Sequence, residues 1–256
     1  MIANYHTHTW RCNHASGSER EYVENAVRSG LRILGFSDHG PYIFPGDYYS
    51  NFRMKIDQVS GYVDTVLDLR KEFADSVQIP LGLELEFYPG LFRDTISFLR
   101  DFPFDYLIQG QHFVDDEFDA PYSGLTTHDD TLLRKYVNQS IDGMQTGLFT
   151  YFAHPDLINY QGDSKTYCRE MVRICREAKS CGLPLEYNLL GQATFRNYPN
   201  VDFWRLAAEE GCQVIMGMDA HNPKALADLT QWEKGLSFLA SLGITPIETV
   251  ELRSII

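Results

Sequence analysis

Two histidines one residue apart, His6 and His8, follow the apolar start Met1-Ile2-Ala3, and Asp219 and His221 repeat that spacing after the apolar run Val214-Ile215-Met216 near the other end. In an extended strand, residues i and i+2 point to the same face, roughly 7 Å apart. Each pair can therefore present two ligand-type side chains to one ion. One such pair alone reads most simply as two satisfied or solvent-facing groups. Two pairs, each closing a strand-like run, point to a metal site built from both ends of the chain. Imidazole and carboxylate together suit zinc, iron or manganese. A fold compatible with this must set the first strand beside the last.

Between these ends, strand-like and helix-like patterns alternate. Ser18-Glu19-Arg20-Glu21 has the form of a capping box, and Tyr22, Val23, Ala26 and Val27 form a helical stripe ending at Gly30. Residues 31–36 read as a strand running into Ser37-Asp38-His39, followed by a polar loop to Asn51 and a helix with Ile56, Val59, Val63, Val66 and Leu67 on one face. Further strands are expected at 77–83, 105–110, 149–153, 184–187 and 214–218. Further helices are expected at about 132–144, 164–182, 201–211 and 224–243, with loop over 115–130 and a tail of mixed character from Ile244. Seven strands separated mostly by helices imply a parallel α/β arrangement.

Every one of these strands ends in a polar side chain of ligand type: His6 and His8, His39, Glu84, His112, His154, Asn188, and Asp219 with His221. Residues scattered in sequence but gathered at strand C-termini converge when the sheet closes, as in a TIM-like barrel with its site on that face. An open doubly wound sheet would draw its site from a few strands near a switch point. The closed form is favoured, as a single domain over residues 1–256. Seven of the eight histidines belong to this set once His14 is included, and only His128 lies outside it. Glu84 directly follows an apolar run and is the better ligand, with Glu86 supporting it. Asp38, on the opposite strand face from His39, is a candidate for orienting a neighbour, and Asp156 for orienting His154.

Composition narrows the function. The net charge is −13, from 35 acidic against 22 basic residues, which argues against nucleic acid or an anionic membrane as the main partner. A small anionic substrate remains compatible, because clustered metal ions reverse the local field. No secretory signal or spanning apolar run is visible, and five cysteines without a Cys-x-x-Cys pair read as free thiols in a cytoplasmic protein. Homo-oligomerisation is compatible with the sequence.

The segments HTHTWRCNH, EYVENAVRSGLRILGFSDHGP, GLELEFYPG, GQHF, GLFTYFAHPDLI, RNYPN and GMDAHNP resemble the polymerase-and-histidinol-phosphatase (PHP) superfamily of metal-dependent phosphoesterases, and more narrowly its monofunctional histidinol-phosphate phosphatases. The resemblance spans nearly the whole chain. It implies a distorted seven-stranded (β/α)7 TIM-like barrel and about two to three divalent ions, zinc, iron or manganese. His6, His8, Glu84 and Asp219 would hold the first ion, with Glu84 bridging to a second on His112 and His154. His14, His39 and His221 would hold a third. His6, His8, Glu84, Asp219 and His221 would form the reacting centre. Such ions would far outweigh the two carboxylates in charge, so hydroxide and a phosphate dianion fit the balance. The implied chemistry is in-line displacement on a phosphomonoester that releases an alcohol without a covalent intermediate.

Candidate substrate contacts are Arg53, Arg196, Asn159 and Asn188. Asp115, Asp116 and Glu117 are placed to receive a substrate amine. The chain departs from relatives at Asn159, where a basic residue is common, at Thr150, where an acidic residue is frequent, and at Gln111, where a small residue is usual. Other readings are a phosphoesterase acting on a different small ester or nucleotide, and a non-catalytic metal-binding module. The latter would be expected to have lost ligands, and this chain has lost none.

Overall fold

The computed structural model describes residues 1–118 and 120–255; Asp119, in the expected 115–130 loop, and Ile256, in the tail, lie outside the described residues. Strands β1 (Ala3–Asn4) and β2 (Ile33–Leu34) pair in parallel, with Ala3 opposite Ile33 and Asn4 opposite Leu34. Strands β3 (Phe36–His39), β4 (Leu81–Leu85), β5 (Tyr106–Gly110), β6 (Tyr151–Ala153), β7 (Leu185–Asn188) and β8 (Val214–Gly217) form a second parallel sheet in chain order. Parallel neighbours need long crossovers. These carry helices α1 (Glu19–Arg28), α2 (Val59–Glu72), α3 (Phe92–Leu99), α4 (Asp130–Gln145), α5 (Ser164–Ser180), α6 (Leu189–Ala193) and α7 (Val201–Glu210), and α8 (Thr230–Ser241) follows β8.

The expected parallel α/β arrangement is present, but among the described residues the strands form a six-stranded and a two-stranded sheet instead of one ring of seven. The break falls at Gly35. The Tyr106 ring occupies the space a side chain there would need, and its hydroxyl lies 2.7 Å from the Tyr5 carbonyl and 3.1 Å from that of Phe36. The strand expected over 31–36 is split there into β2 and β3, and β3 runs on through His39. Isolated bonds join the pieces. His8 N donates to the Ala220 carbonyl at 3.0 Å, Ala220 N to that of His6 at 3.1 Å, and Ser37 N to that of Thr7 at 2.9 Å.

Local signals account for most helix boundaries. Ser18 and Glu21 form the expected capping box of α1. Asp129, Asp163 and Asn200 cap α4, α5 and α7 with side-chain oxygens. Helix α2 starts at Val59, because Ile56–Gln58 form a 3₁₀ turn ahead of it. Helix α3 has no side-chain cap, and the sequence does not announce it.

The helices bury their apolar stripes against the sheet. Trp204, Tyr62 and Tyr136 are fully enclosed, each contributing a few kcal/mol, roughly, of transfer free energy. A smaller cluster of Ala3, Tyr5, Tyr106, Ile108, Tyr151, Ala153 and Ile215 fills the interior of the strand array. The tail covers it: Val250 and Leu252 pack on this cluster, and Ile247 N donates to the Val214 carbonyl at 2.7 Å. Thr150, the departure noted above, accepts from Arg253 N at 3.0 Å and so anchors the tail. Among the described residues, no helix is long and apolar enough to cross a membrane.

Candidate metal centre

The nine expected ligands converge at the C-terminal ends of the strands. Glu84 is at the centre, inside β4 and opposite His39 in register. Its Oε2 lies 3.1 Å from His39 Nδ1, 3.4 Å from His6 Nε2 and 3.5 Å from His8 Nε2; its Oε1 lies 2.9 Å from His154 Nε2 and 3.6 Å from His112 Nε2. Asp219 Oδ1 lies 3.2 Å from His8 Nε2, 3.5 Å from His6 Nε2 and 3.2 Å from His221 Nδ1. His14 Nε2 and His221 Nε2 are 2.9 Å apart. The overlapping trios include His6, His8 and Asp219; His8, His39 and Glu84; His6, Glu84 and His154; His14, His39 and His221; and His8, Cys12 and His221. Each brings its ligand atoms within 4.8 Å of one another.

The atoms facing the centre lack partners of their own. His6 Nε2, His8 Nε2, His39 Nδ1 and Glu84 Oε2 are buried with no hydrogen-bond partner. Each such group costs on the order of 1–3 kcal/mol when left unmet. Four gathered in one place are well explained by a cation that would satisfy them together, and the imidazole–carboxylate donor set fits zinc, iron or manganese. The far sides of the rings are held. His6 Nδ1 lies 2.8 Å from Glu186 Oε2, His112 Nδ1 2.7 Å from Glu86 Oε1, and His8 Nδ1 3.4 Å from Asp38 Oδ1. His14 Nδ1 and His221 Nδ1 meet the carbonyls of Cys12 and Asp219 at 2.8 and 3.0 Å. Such outer contacts orient an imidazole and raise its basicity toward a metal.

Electrostatics favour the same occupant. Burial would raise the pKa of Glu84, but His39, His112, His6 and His154 hold it well below the ordinary carboxylate range. Asp219 is held low in the same way, against burial, by His6, His221 and His8. Burial alone would lower the pKa of His6, but Glu186, Asp219 and Glu84 outweigh it and raise it to about 10. Burial, with the neighbouring His221 and His8, pushes His14 down to about 4. Two candidate ligands stand on strained backbone at strand ends: His154 with φ 33° and Asp219 with φ 49° lie in the left-handed region that non-glycine residues avoid.

A cavity of about 840 Å³ opens over the cluster, walled by Phe52, Phe113, Tyr122 and Tyr198, with Arg196 and Asn159 also lining it. Arg196 donates to the Tyr198 hydroxyl at 2.7 Å. The Asn159 amide donates to the Gly124 carbonyl and to Thr126 Oγ1, each at 3.2 Å. The other two expected substrate contacts do not line this cavity. Asn188 is buried, donating to Asp219 Oδ2 at 3.1 Å and to Glu186 Oε1 at 2.8 Å, so it steadies a candidate ligand. Arg53 is buried on Glu86, Glu117 and the Gly40 carbonyl.

Other expectations are corrected as well. Glu117 is buried and committed to Arg53 instead of awaiting a substrate amine, and the exposed Asp115 accepts from Lys135 Nζ at 2.8 Å. Asp156 accepts from Asn200 N at 2.5 Å and from Trp204 Nε1 at 3.1 Å, tying down the start of α7 instead of orienting His154. Glu186 was not anticipated. Its signal was a lone carboxylate inside the apolar run 184–187, a residue type that is almost never fully buried without a partner.

Comparison with known proteins agrees with this geometry. Among curated proteins, the chain is 32% identical to a probable histidinol-phosphatase of Deinococcus radiodurans, across 87% of each chain. It is 24% identical to the histidinol-phosphatase of Bacillus subtilis, over 84% of this chain and 92% of that one. The histidinol phosphate phosphatase of Lactococcus lactis, solved with zinc, L-histidinol and phosphate, shares the fold. Its TM-score is 0.76 over 97% of this chain and 96% of that one, at 22% identity. Residues 4–189 match the PHP domain, more than half of the chain, and the protein belongs to the PHP domain family.

Proposed function

We propose that the protein is a metal-dependent phosphomonoesterase that hydrolyses histidinol phosphate to L-histidinol and phosphate. The observation that carries the reading is the set of unpartnered, buried ligand atoms around Glu84 and Asp219. The names of the relatives from D. radiodurans and B. subtilis, and the histidinol and phosphate bound in the L. lactis enzyme, support the choice of ester.

His6, His8, Glu84 and Asp219 would hold one ion, His112 and His154 with Glu84 a second, and His14, His39 and His221 a third. When bound, such ions supply Lewis acidity toward a phosphoryl oxygen and make water acidic enough to attack near neutral pH. Glu84 suits a bridging role because its two oxygens face different histidine sets. Asn188 keeps Asp219 oriented, and Glu186 does the same for His6. Arg196 is the cavity's guanidinium and is suited to a phosphate oxygen. The aromatic walls would enclose the alcohol half and exclude bulk water. The bonds of residues 6–8 to Ala220 and of Thr7 to Ser37 support a seven-strand barrel closed through the first segment, within a single domain.

The test joins elemental analysis to turnover on a panel of histidinol phosphate, sugar phosphates, nucleotides and amino-alcohol phosphates. About two to three first-row divalent ions per chain are expected, with the highest kcat/KM for histidinol phosphate. Less than about one ion per chain after reconstitution overturns the metal centre. Preference for another ester by about 100-fold, or ~2.7 kcal/mol of transition-state binding, keeps the reaction and changes the substrate.

A further inference from the structure

Arg53 is 1% exposed, and a buried guanidinium is tolerated only when its donors and charge are met. Its Nη1 donates to the Gly40 carbonyl at 2.8 Å, its Nε to Glu117 Oε2 at 2.8 Å and its Nη2 to Glu86 Oε2 at 3.0 Å. The other Glu86 oxygen lies 2.7 Å from His112 Nδ1. Gly40 follows His39, and Met54 N donates to the His39 carbonyl at 3.2 Å. Between them, the Phe52 ring packs 5.2 Å from the His39 ring and 6.0 Å from that of His112. Three consecutive residues therefore grip two candidate ligands that come from different strands.

The charges of this knot do not cancel. Glu86 and Glu117 bring two formal negative charges against the one positive charge of Arg53, and all three side chains are less than a tenth exposed. One of these carboxylates, Glu86, lies against His112 Nδ1, where it would hold the ring hydrogen on that nitrogen once an ion is bound. That leaves Nε2, the atom 3.6 Å from Glu84 Oε1, to offer its lone pair to the ion. Without Arg53 the Glu86 carboxylate would lose the anchor that fixes its direction.

We infer that Arg53 is a positioning residue of the metal centre: through Glu86 and the Gly40 carbonyl it fixes His112 and His39 and thereby sets the affinity of the ion held by His112. This inference rests on the metal-centre reading above. It also moves Arg53 out of the substrate-contact set to which its sequence position had assigned it.

The test uses the full-length protein, stripped of metal and titrated with zinc against a competing chelator. Arg53→Met would strand two buried carboxylates, so Arg53→Lys and Glu117→Gln carry the experiment. An ammonium keeps the charge of Arg53 but cannot span the fork to Gly40, Glu86 and Glu117. In Arg53→Lys, one zinc-binding step is expected to weaken by about 10–100-fold, the loss usual for an outer contact of a ligand. The remaining steps and the melting temperature of the metal-free protein should stay close to wild type. Glu117→Gln should weaken the same step by less. Unchanged zinc affinities in Arg53→Lys, or equal weakening of every step with a lowered apo melting temperature, would overturn the positioning role. A raised KM with intact zinc binding would overturn it in favour of a substrate contact. A wild-type protein that takes up no zinc would overturn the metal-centre reading and this inference together, an outcome distinguishable from the others before any variant is made.

Discussion

Glu84 leans onto Gly110: a β-carbon on that glycine would overlap the Glu84 carboxylate. The register explains how. Glu84 pairs with Ile108, and its side chain reaches two residues further along the neighbouring strand, to Gly110. Glu186 repeats the relation, pairing with Ile215 and reaching Gly217, where a β-carbon would strike its carboxylate too. Glycine inside a strand weakens it, and it persists where another group needs the space. Gly110→Ala should therefore displace Glu84 while leaving the strand intact. Turnover is expected to fall by about 100-fold or more, ~2.7 kcal/mol in the barrier, with metal content reduced alongside. Full metal content and normal kcat in this variant would show that Glu84 does not need its present position.

Removing charge from the two neighbouring glutamates separates their roles. Glu84 faces five histidines, whereas Glu86 touches His112 and Arg53. Glu86→Gln should cost about 10–100-fold in activity or metal affinity, as expected of a group that only orients a ligand. Glu84→Gln should cost more. Equal losses measured by kcat/KM and zinc titration would mean that the ligand in this strand has been wrongly chosen.

Glu186→Gln tests the carboxylate behind His6. A glutamine can still accept from His6 Nδ1, but it no longer offers the charge that makes the imidazole a stronger donor to an ion. Zinc affinity should drop by about 10–100-fold, with the melting temperature of the metal-free protein little changed. An affinity equal to wild type would reduce the Glu186–His6 contact to packing.

The metal-free protein should release protons as it loads. With its pKa raised to about 10, His6 is protonated at pH 7, and an ion must displace that proton to reach the lone pair. His14, pushed down to about 4, is already neutral and releases none. Zinc affinity should accordingly rise as pH increases toward 10 and fall as pH decreases. Calorimetric titration at pH 7 in two buffers of different ionisation enthalpy measures the release. Binding heats that do not depend on the buffer would contradict a protonated His6.

The nine candidate ligands were legible in the sequence because their signal is local. Eight are ligand-type side chains placed just after, or at the end of, a short apolar run, the His-x-His and Asp-x-His spacings put two on one strand face, and His14, in a loop, was added by the family resemblance. The alternation of strands and helices was legible for the same reason, down to the capping box at Ser18 and Glu21. What the ligands lean on was not. Glu186 has no periodicity that says which way it faces, and Arg53 could have pointed into the cavity. The Arg53 assignment depends on where residues 40–57 run and on Glu117, 64 positions later. The break between β2 and β3 was equally hidden, and the ring packed against Gly35 at the break belongs to Tyr106, 70 positions from the Phe36 carbonyl that its hydroxyl approaches. Pattern and spacing determine which residue types fall at strand ends, because they act over a few bonds. The pairing of buried charges and the sharing of space between a glycine and a distant side chain are decided only when the chain has packed, because each depends on partners that are far apart in sequence and on a low-dielectric interior that penalises every group left without one.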